Sequence, residues 1–403
     1  MHSHAVRMGR VLQLGAAISL LAGSLAIGVG PVGAASPPLT VTADMPGAVP
    51  AGHNWGFNDF FPRSLTVHKG QTIQFVLAGF HTATLLPKGA SAVADLKNNG
   101  VAAADVDDTT ANPGGQTHTQ LRLPAIMPTS FTCGTAAHPC SFTGAAVVSS
   151  GAPLAPGGGP FVVTINAPVG VYTLLCRIHP GMTATIRVAP ASVPATTAKA
   201  LAASVKSQVA SDVKEGLLAE KQASGVSSST LPDGHTLWMV NVGASSPARH
   251  VAINEFLPGT LSVKPGDLVT WTSSAANEIH TVTFPGDIHT DQVPLCEDAS
   301  TGTDTPATPL HTPPLGPTDF ACGTGPVGEI EFAPGNGVRT IADTTTVSDS
   351  GVLASAAARA AWGLPASAAL ATWTIGVSAT APAGTYTFVC QIHAGMTATL
   401  VVH

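Results

Sequence analysis

The chain repeats itself once, and each copy ends on the same chemistry. Cys176, His179 and Met182 stand at C-x2-H-x2-M spacing, and Cys390, His393 and Met396 repeat it. The framing repeats as well. Gly170-Val171-Tyr172-Thr173 precedes the first triplet and Gly384-Thr385-Tyr386-Thr387 the second; Thr183-Ala184-Thr185 and Thr397-Ala398-Thr399 follow. Far upstream, Asn58-Asp59-Phe60-Phe61-Pro62 matches Asn254-Glu255-Phe256-Leu257-Pro258, and Phe80-His81-Thr82 matches Ile279-His280-Thr281. Two copies of roughly 150 residues imply two like domains rather than a solenoid, which stacks several shorter units.

Within each copy the segments are short, β-branched or alternating, and bounded by Gly and Pro. Leu65–Val67, Gln71–Leu77, Phe161–Ile165 and Thr183–Val188 read as strands, as do their partners in the second copy. The chain's 42 Gly and 33 Pro exclude a large helical bundle, and 44% hydrophobic residues exclude a disordered polyelectrolyte. Many short strands with turn signals predict an all-β fold of two sandwiches, with the strands of each antiparallel. The only two tyrosines, Tyr172 and Tyr386, each stand four residues before a triplet cysteine. Each is expected to tie down a sandwich corner through its hydroxyl. Between the copies, Leu201, Val205, Val209, Val213 and Leu217 recur every four residues, predicting an amphipathic helix capped at Thr196 or Thr197. Gly225–Ser229 then reads as a flexible linker.

The N-terminus has the order of a secretory signal: Arg7 and Arg10, an apolar run from Val11 to Val29, then small residues at Gly33, Ala34 and Ala35. The organisation expected is therefore a signal peptide over 1–35, a first domain over 36–190, a helical and flexible linker over 191–234 and a second domain over 235–403. No later segment has the length and apolarity of a membrane span. A net charge of −6 argues against nucleic acid as a partner.

Each triplet lies on one short loop between two strands, and each copy adds an upstream histidine, His81 or His280, at the end of an earlier strand. Two imidazoles, a thiolate and a thioether form a soft nitrogen-and-sulfur set. A trigonal His2Cys site with a weak axial Met suits a blue-copper electron-transfer centre. On these residues each half resembles a cupredoxin, the plastocyanin and azurin family of type 1 copper proteins, and the short ligand loop is most similar to that of amicyanin. The resemblance covers about residues 45–190 and 240–403. It implies two tandem Greek-key β-sandwiches, which the helix read from the valine periodicity would join. It also implies two type 1 coppers per chain, one on His81, Cys176, His179 and Met182, the other on His280, Cys390, His393 and Met396. In the family, electrons pass through an exposed loop histidine, here His179 and His393, whose small neighbours suit a flat docking patch for redox partner proteins.

Two departures from the family stand out. Many members carry Asn directly after the first His, where it fastens the ligand loop; this chain has Thr82 and Thr281. The stretches from His81 to Cys176 and from His280 to Cys390 are also long, so Ala90–Thr119 and Asp291–Gly316 read as decorated loops.

With two cysteines set aside as ligands, Cys133, Cys140, Cys296 and Cys322 remain, and four cysteines allow three pairings. Phe131-Thr132-Cys133-Gly134-Thr135 matches Phe320-Ala321-Cys322-Gly323-Thr324, so each copy has this cysteine and one private partner. The expected disulfides are Cys133–Cys140 and Cys296–Cys322, which suit a secreted or periplasmic protein. The function expected is electron transfer by an exported blue-copper protein. Two other readings are a two-domain copper oxidoreductase, nitrite reductase-like or laccase-like, and a copper storage or delivery protein. The oxidoreductases need a second copper centre, built from His-x-His pairs or a His beside the ligand Cys. Here Leu175 and Arg177 flank Cys176, Val389 and Gln391 flank Cys390, and the only His-x-His is His2-Ser3-His4. A storage protein would favour Met-rich runs, and the chain has seven Met with no such run.

Overall fold

The computed structural model of the chain describes residues 38–106, 117–153, 159–286, 292–298, 303–306, 308–309, 320–321, 329–332, 335 and 337–403. The chain divides into Met1–Pro37 and one compact unit, Pro38–His403. The expected signal peptide lies outside the described residues, as does the expected Cys296–Cys322 disulfide.

The fold is all-β. In the first copy one sheet runs Phe60–Phe61, Leu39–Ala43, Thr72–Leu77, Phe161–Ile165, Cys140–Phe142. The facing sheet runs Val148–Ser149, Thr84–Leu85, Gly170–Leu175, Thr183–Ala189, Ser64–His68. The second copy repeats this with a sheet built on Val251–Leu257, Thr236–Ser245, Leu268–Ser274 and Thr372–Val377, and another on Thr260–Val263, Thr397–Val402, Gly384–Val389 and Thr283–Phe284. Not every neighbour is antiparallel: Leu39–Ala43 runs parallel to Thr72–Leu77, and Thr183–Ala189 parallel to Ser64–His68.

Alternation along the strands packs each core. Phe75, Phe142, Tyr172 and Ile186 fill the first; Trp271, Trp373, Phe284 and Phe388 fill the second. Tyr172 and Tyr386 do tie corners, their hydroxyls donating to the carbonyls of Pro168 and Pro382 at 2.8 Å. The Cys133–Cys140 disulfide is present.

The two copies are not separate beads. Trp55–Phe57, from the first copy by sequence, pairs antiparallel with Val251–Leu257 and so extends the second copy's sheet. Trp55, Phe57 and Phe61 share a third core with Val251, Ile253 and Leu257. The helix Ala198–Ala223 packs on this joint, capped by Thr197, whose hydroxyl accepts from the Ala200 amide. Its buried residues are Gln208, Asp212, Gly216, Ala219 and Ala223. The valine stripe Val205, Val209 and Val213 lies at the margin, and Leu217 is exposed. The polar centre is explained by its partners. Gln208 donates to Asp59 and to the Phe60 carbonyl, and Arg63 bridges Asp59 and Asp212. Gly216 is small because a Cβ there would lie 2.7 Å from the Trp55 ring.

Two expectations about loops are corrected. Ser227–Thr230, read as part of a flexible linker, is an edge strand paired with Thr236–Ser245 through a Pro-Asp-Gly turn, in which Gly234 takes the left-handed φ of 87°. The long insertions hold a helix, Ala92–Asn99, and a shared sheet. Ala102–Val106 and Thr117–Arg122 come from the first copy and join Glu329–Phe332, Gln292–Asp298 and Thr303–Pro306 from the second. Unpaired edge backbone is satisfied by joining strands across the two copies.

The tyrosine corners generate a stability prediction. Tyr172→Phe and Tyr386→Phe should each cost about 1 kcal/mol by loss of one hydrogen bond. The costs should add, since the corners share no partners. Urea unfolding of the single and double variants measures both; a double variant no weaker than either single would refute independence.

Candidate metal centres

Each ligand loop begins where a strand ends. Leu175 pairs with Thr183 and Val389 with Thr397, so the residues between must turn within a tight span. The turn closes the same way twice. The Cys176 amide donates to the Met182 carbonyl and the Met182 amide to the His179 carbonyl, at 3.0 and 3.2 Å. Cys390, Met396 and His393 repeat both bonds at the same lengths. Met182 and Met396 are buried.

The folding brings His81, Cys176 and His179 together, and separately His280, Cys390 and His393, with the potential donor atoms of each set within 4.8 Å of one another. Cys176 Sγ lies 3.8 Å from His81 Nδ1 and 3.6 Å from His179 Nδ1; Cys390 Sγ lies 3.6 Å from His393 Nδ1. The amides of Thr82 and Ile178 point at Cys176 Sγ, and that of Thr281 at Cys390 Sγ, all at 3.4 Å. Burial opposes ionisation of both thiols, yet the neighbouring imidazoles hold them well below the ordinary thiol value. His280 is wholly buried and neither ring nitrogen has a hydrogen-bond partner. An orphaned ring nitrogen beside a stabilised thiolate fits a soft metal ion as its missing partner, since one imidazole presents one nitrogen to one ion.

The threonines after the upstream histidines do the fastening. Thr82 Oγ1 accepts from the Arg177 amide at 2.8 Å, and Thr281 Oγ1 from the Gln391 amide at 2.9 Å. A short hydroxyl thus secures the residue after each cysteine. Arg177 is also clamped by a bidentate pair to Asp95 on the helix Ala92–Asn99, both contacts at 2.8 Å. That insertion therefore braces the first loop.

Three acidic residues near the centres escaped sequence reading. Asp44 places Oδ2 3.3 Å from His81 Nε2. Burial opposes charge on His81, but Asp44 and Cys176 raise its imidazole to about 10. Strand register makes Gly243 the counterpart of Asp44, and both take left-handed φ, 69° and 72°. A Cβ on Gly243 would overlap His280 Nε2. Asp95 is the clamp described above. The third is Glu278, which lies beside both loop histidines, 3.9 Å from His179 Nε2 and 3.7 Å from His393 Nε2. Burial opposes its charge, but the two histidines and Asn58 hold it down at about 2. Burial likewise opposes charge on His393, which Cys390 and Glu278 lift to about 10. One signal for Glu278 was available: it occupies the position of Gly79 in the first copy, a charge breaking the repeat in a chain with only 10% charged residues.

The resemblance implied exposed loop histidines on a flat patch. Instead both imidazoles are mostly buried and turn towards one carboxylate. Asn54 seals the second loop by donating to the Ala394 carbonyl at 3.1 Å. Of the remaining histidines, His53 meets Glu220 and Glu255, and His250 meets Asp59 and Asp212, where Arg63 already supplies the cation.

No family model and no curated protein matches the chain. Among solved structures it is similar to the oxidized form of plastocyanin from Dryopteris crassirhizoma, at 16% identity over 41% of this chain and 99% of that one, TM-score 0.15. It is also similar to a reduced amicyanin mutant, at 16% identity over 44% and 92%, TM-score 0.16. A third is dithionite-reduced auracyanin from the photosynthetic bacterium Roseiflexus castenholzii, at 19% identity over 39% and 100%, TM-score 0.21. Overlap of that extent carries no argument, and what the site can do is argued from this chain's own sheets and side chains.

Two outcomes are expected of the metal-free protein. The raised His81 value contributes stability that is fully present below 6.5 and is lost as pH rises through about 10. Asp44→Asn should flatten that loss, read from urea midpoints across the same range; an unchanged slope would exclude the pair as its source. Gly243→Ala should destabilise by roughly 2–5 kcal/mol, from left-handed strain and overpacking against His280. Calorimetry showing wild-type stability would contradict the close approach.

Proposed function

We propose that the chain is an exported blue-copper protein that holds one type 1 copper in each half and exchanges electrons with redox partner proteins. The ligands are His81, Cys176, His179 and Met182 in the first centre, and His280, Cys390, His393 and Met396 in the second. The observation that carries this reading is the doubled set: two buried cysteine sulfurs, each gathered with an upstream histidine and with a second histidine on its own loop, which a buried methionine closes.

Copper bound there supplies one-electron exchange between Cu(I) and Cu(II). The chain's part is to keep the donor set unchanged through that exchange. Amides directed at Sγ, the threonine hydroxyls and the Asp95–Arg177 clamp resist rearrangement. Burial keeps water from the thiolate. The two sandwiches, over 36–190 and 235–403, act as two metal domains, with 191–234 as the helical connection. The disulfide Cys133–Cys140 supports an oxidising, extracytoplasmic location reached through the signal over 1–35. No described helix is long and apolar enough to cross a membrane.

Copper-loaded protein should bind two copper ions per chain and show an intense thiolate-to-copper visible band. Cys176→Ser combined with Cys390→Ser should remove the band and leave far-UV circular dichroism unchanged. A colourless loaded wild type, or a band that survives in the double variant, would overturn the assignment.

A further inference from the structure

Glu278 serves two centres from one position. It precedes His280 by two residues, and the first copy has Gly79 there, so the molecule holds one such carboxylate for two sets of ligands. The residue is buried at 3% exposure. Its oxygens are divided: Oε1 faces His179 Nε2 at 3.9 Å and Oε2 faces His393 Nε2 at 3.7 Å. Asn58, carried by the first copy, donates its Nδ2 to Oε1 and fixes the carboxylate. Among the described residues its ion-pair partners are these two histidines. A buried carboxylate without partners is expensive, so this placement needs both of them.

The chemistry follows from the ring orientations. Each loop histidine turns Nδ1 to its own cysteine sulfur, at 3.6 Å in both centres. An imidazole that offers Nδ1 to a metal must carry its proton on Nε2, and an outer carboxylate is the usual acceptor that selects this tautomer and aims the ring. Here one carboxylate stands within ion-pair range of both Nε2 atoms, at 3.9 and 3.7 Å, longer than a direct hydrogen bond, so it acts on the two rings through its charge. A low-dielectric setting makes a change of charge in one set perceptible to the other through it.

We propose that Glu278 is a shared positioning residue that anchors the loop histidines of both centres and makes the two centres respond to one another. The anchoring stands on the metal-free geometry; the mutual response rests on the two-copper reading.

The test uses the full chain and side-chain 15N–1H correlation spectra, with Glu278→Gln as the variant. Gln has nearly the same shape, but it lacks the charge and offers a single acceptor. In the metal-free protein, the Nε2–H signals of both His179 and His393 should shift in the variant. A shift at one histidine alone, or at neither, overturns the anchor. For the response, Cys390→Ser leaves only the first centre able to take Cu(I). Adding Cu(I) should then move the His393 signal as well as His179, and Glu278→Gln should abolish the His393 movement. A His393 signal indifferent to Cu(I) overturns the coupling. Copper affinity should fall at both centres by roughly 10–100-fold in Glu278→Gln, while Asp44→Asn should weaken the first centre only. If Glu278→Gln does not fold, Asn58→Ala leaves the carboxylate in place but unfixed, and both histidines should shift in the same sense. A wild type that takes up no copper overturns the two-copper reading and the coupling with it; the metal-free spectra still decide the anchor.

Discussion

A cysteine sulfur buried as an anion is the constraint around which the rest is arranged. Desolvation penalises a thiolate, so one can persist inside a sandwich only if dipoles and positive charge meet it. Both centres supply the same answer. Backbone amides point at the sulfur, and imidazoles lie against it. The loop that carries it is pinned by a threonine hydroxyl one residue after the cysteine. The sandwiches make this affordable, because paired strands hold both ends of the loop in register while the tyrosine corners fix the strand that leads into it.

The second theme is that two copies have become one body. A strand from the first copy completes the second copy's sheet, a long helix covers the joint, and the insertions meet in a sheet of their own. The same joint brings Asn54 onto the second ligand loop and Asn58 onto Glu278. Duplicated domains joined by a free linker would present two independent loops. Here the two loops turn inward towards a common acid.

The copies are also unequal where equality might have been assumed from their motifs. Asp44 faces the outer nitrogen of His81, whereas Gly243 leaves the outer nitrogen of His280 without a partner. A carboxylate on a ligand's far nitrogen raises its basicity, so the two proposed centres differ in the strength of a donor they share by name.

Much was legible along the chain. Cys-x2-His-x2-Met with an upstream His is local chemistry, and its repetition announced both gathered clusters; short β-branched segments bounded by Gly and Pro announced the β fold, and the two tyrosines its corners. The Cys133–Cys140 bridge, seven residues apart, was equally local. What failed to show were relations between distant segments. The helix was found by its valines, but its buried line is Gln208, Asp212 and Gly216, because Asp59, Phe60, Arg63 and Trp55 wait there. The insertions read as loops because their strand partners lie in the other copy. Residue type, spacing and repetition by themselves announced which cysteine and histidines would be gathered in each copy, since a short loop between paired strands can present only side chains close in sequence. Only the tertiary structure decided that both loops share Glu278, because the meeting of His179, Glu278 and His393 depends on how two sandwiches pack, and no spacing within either copy encodes that.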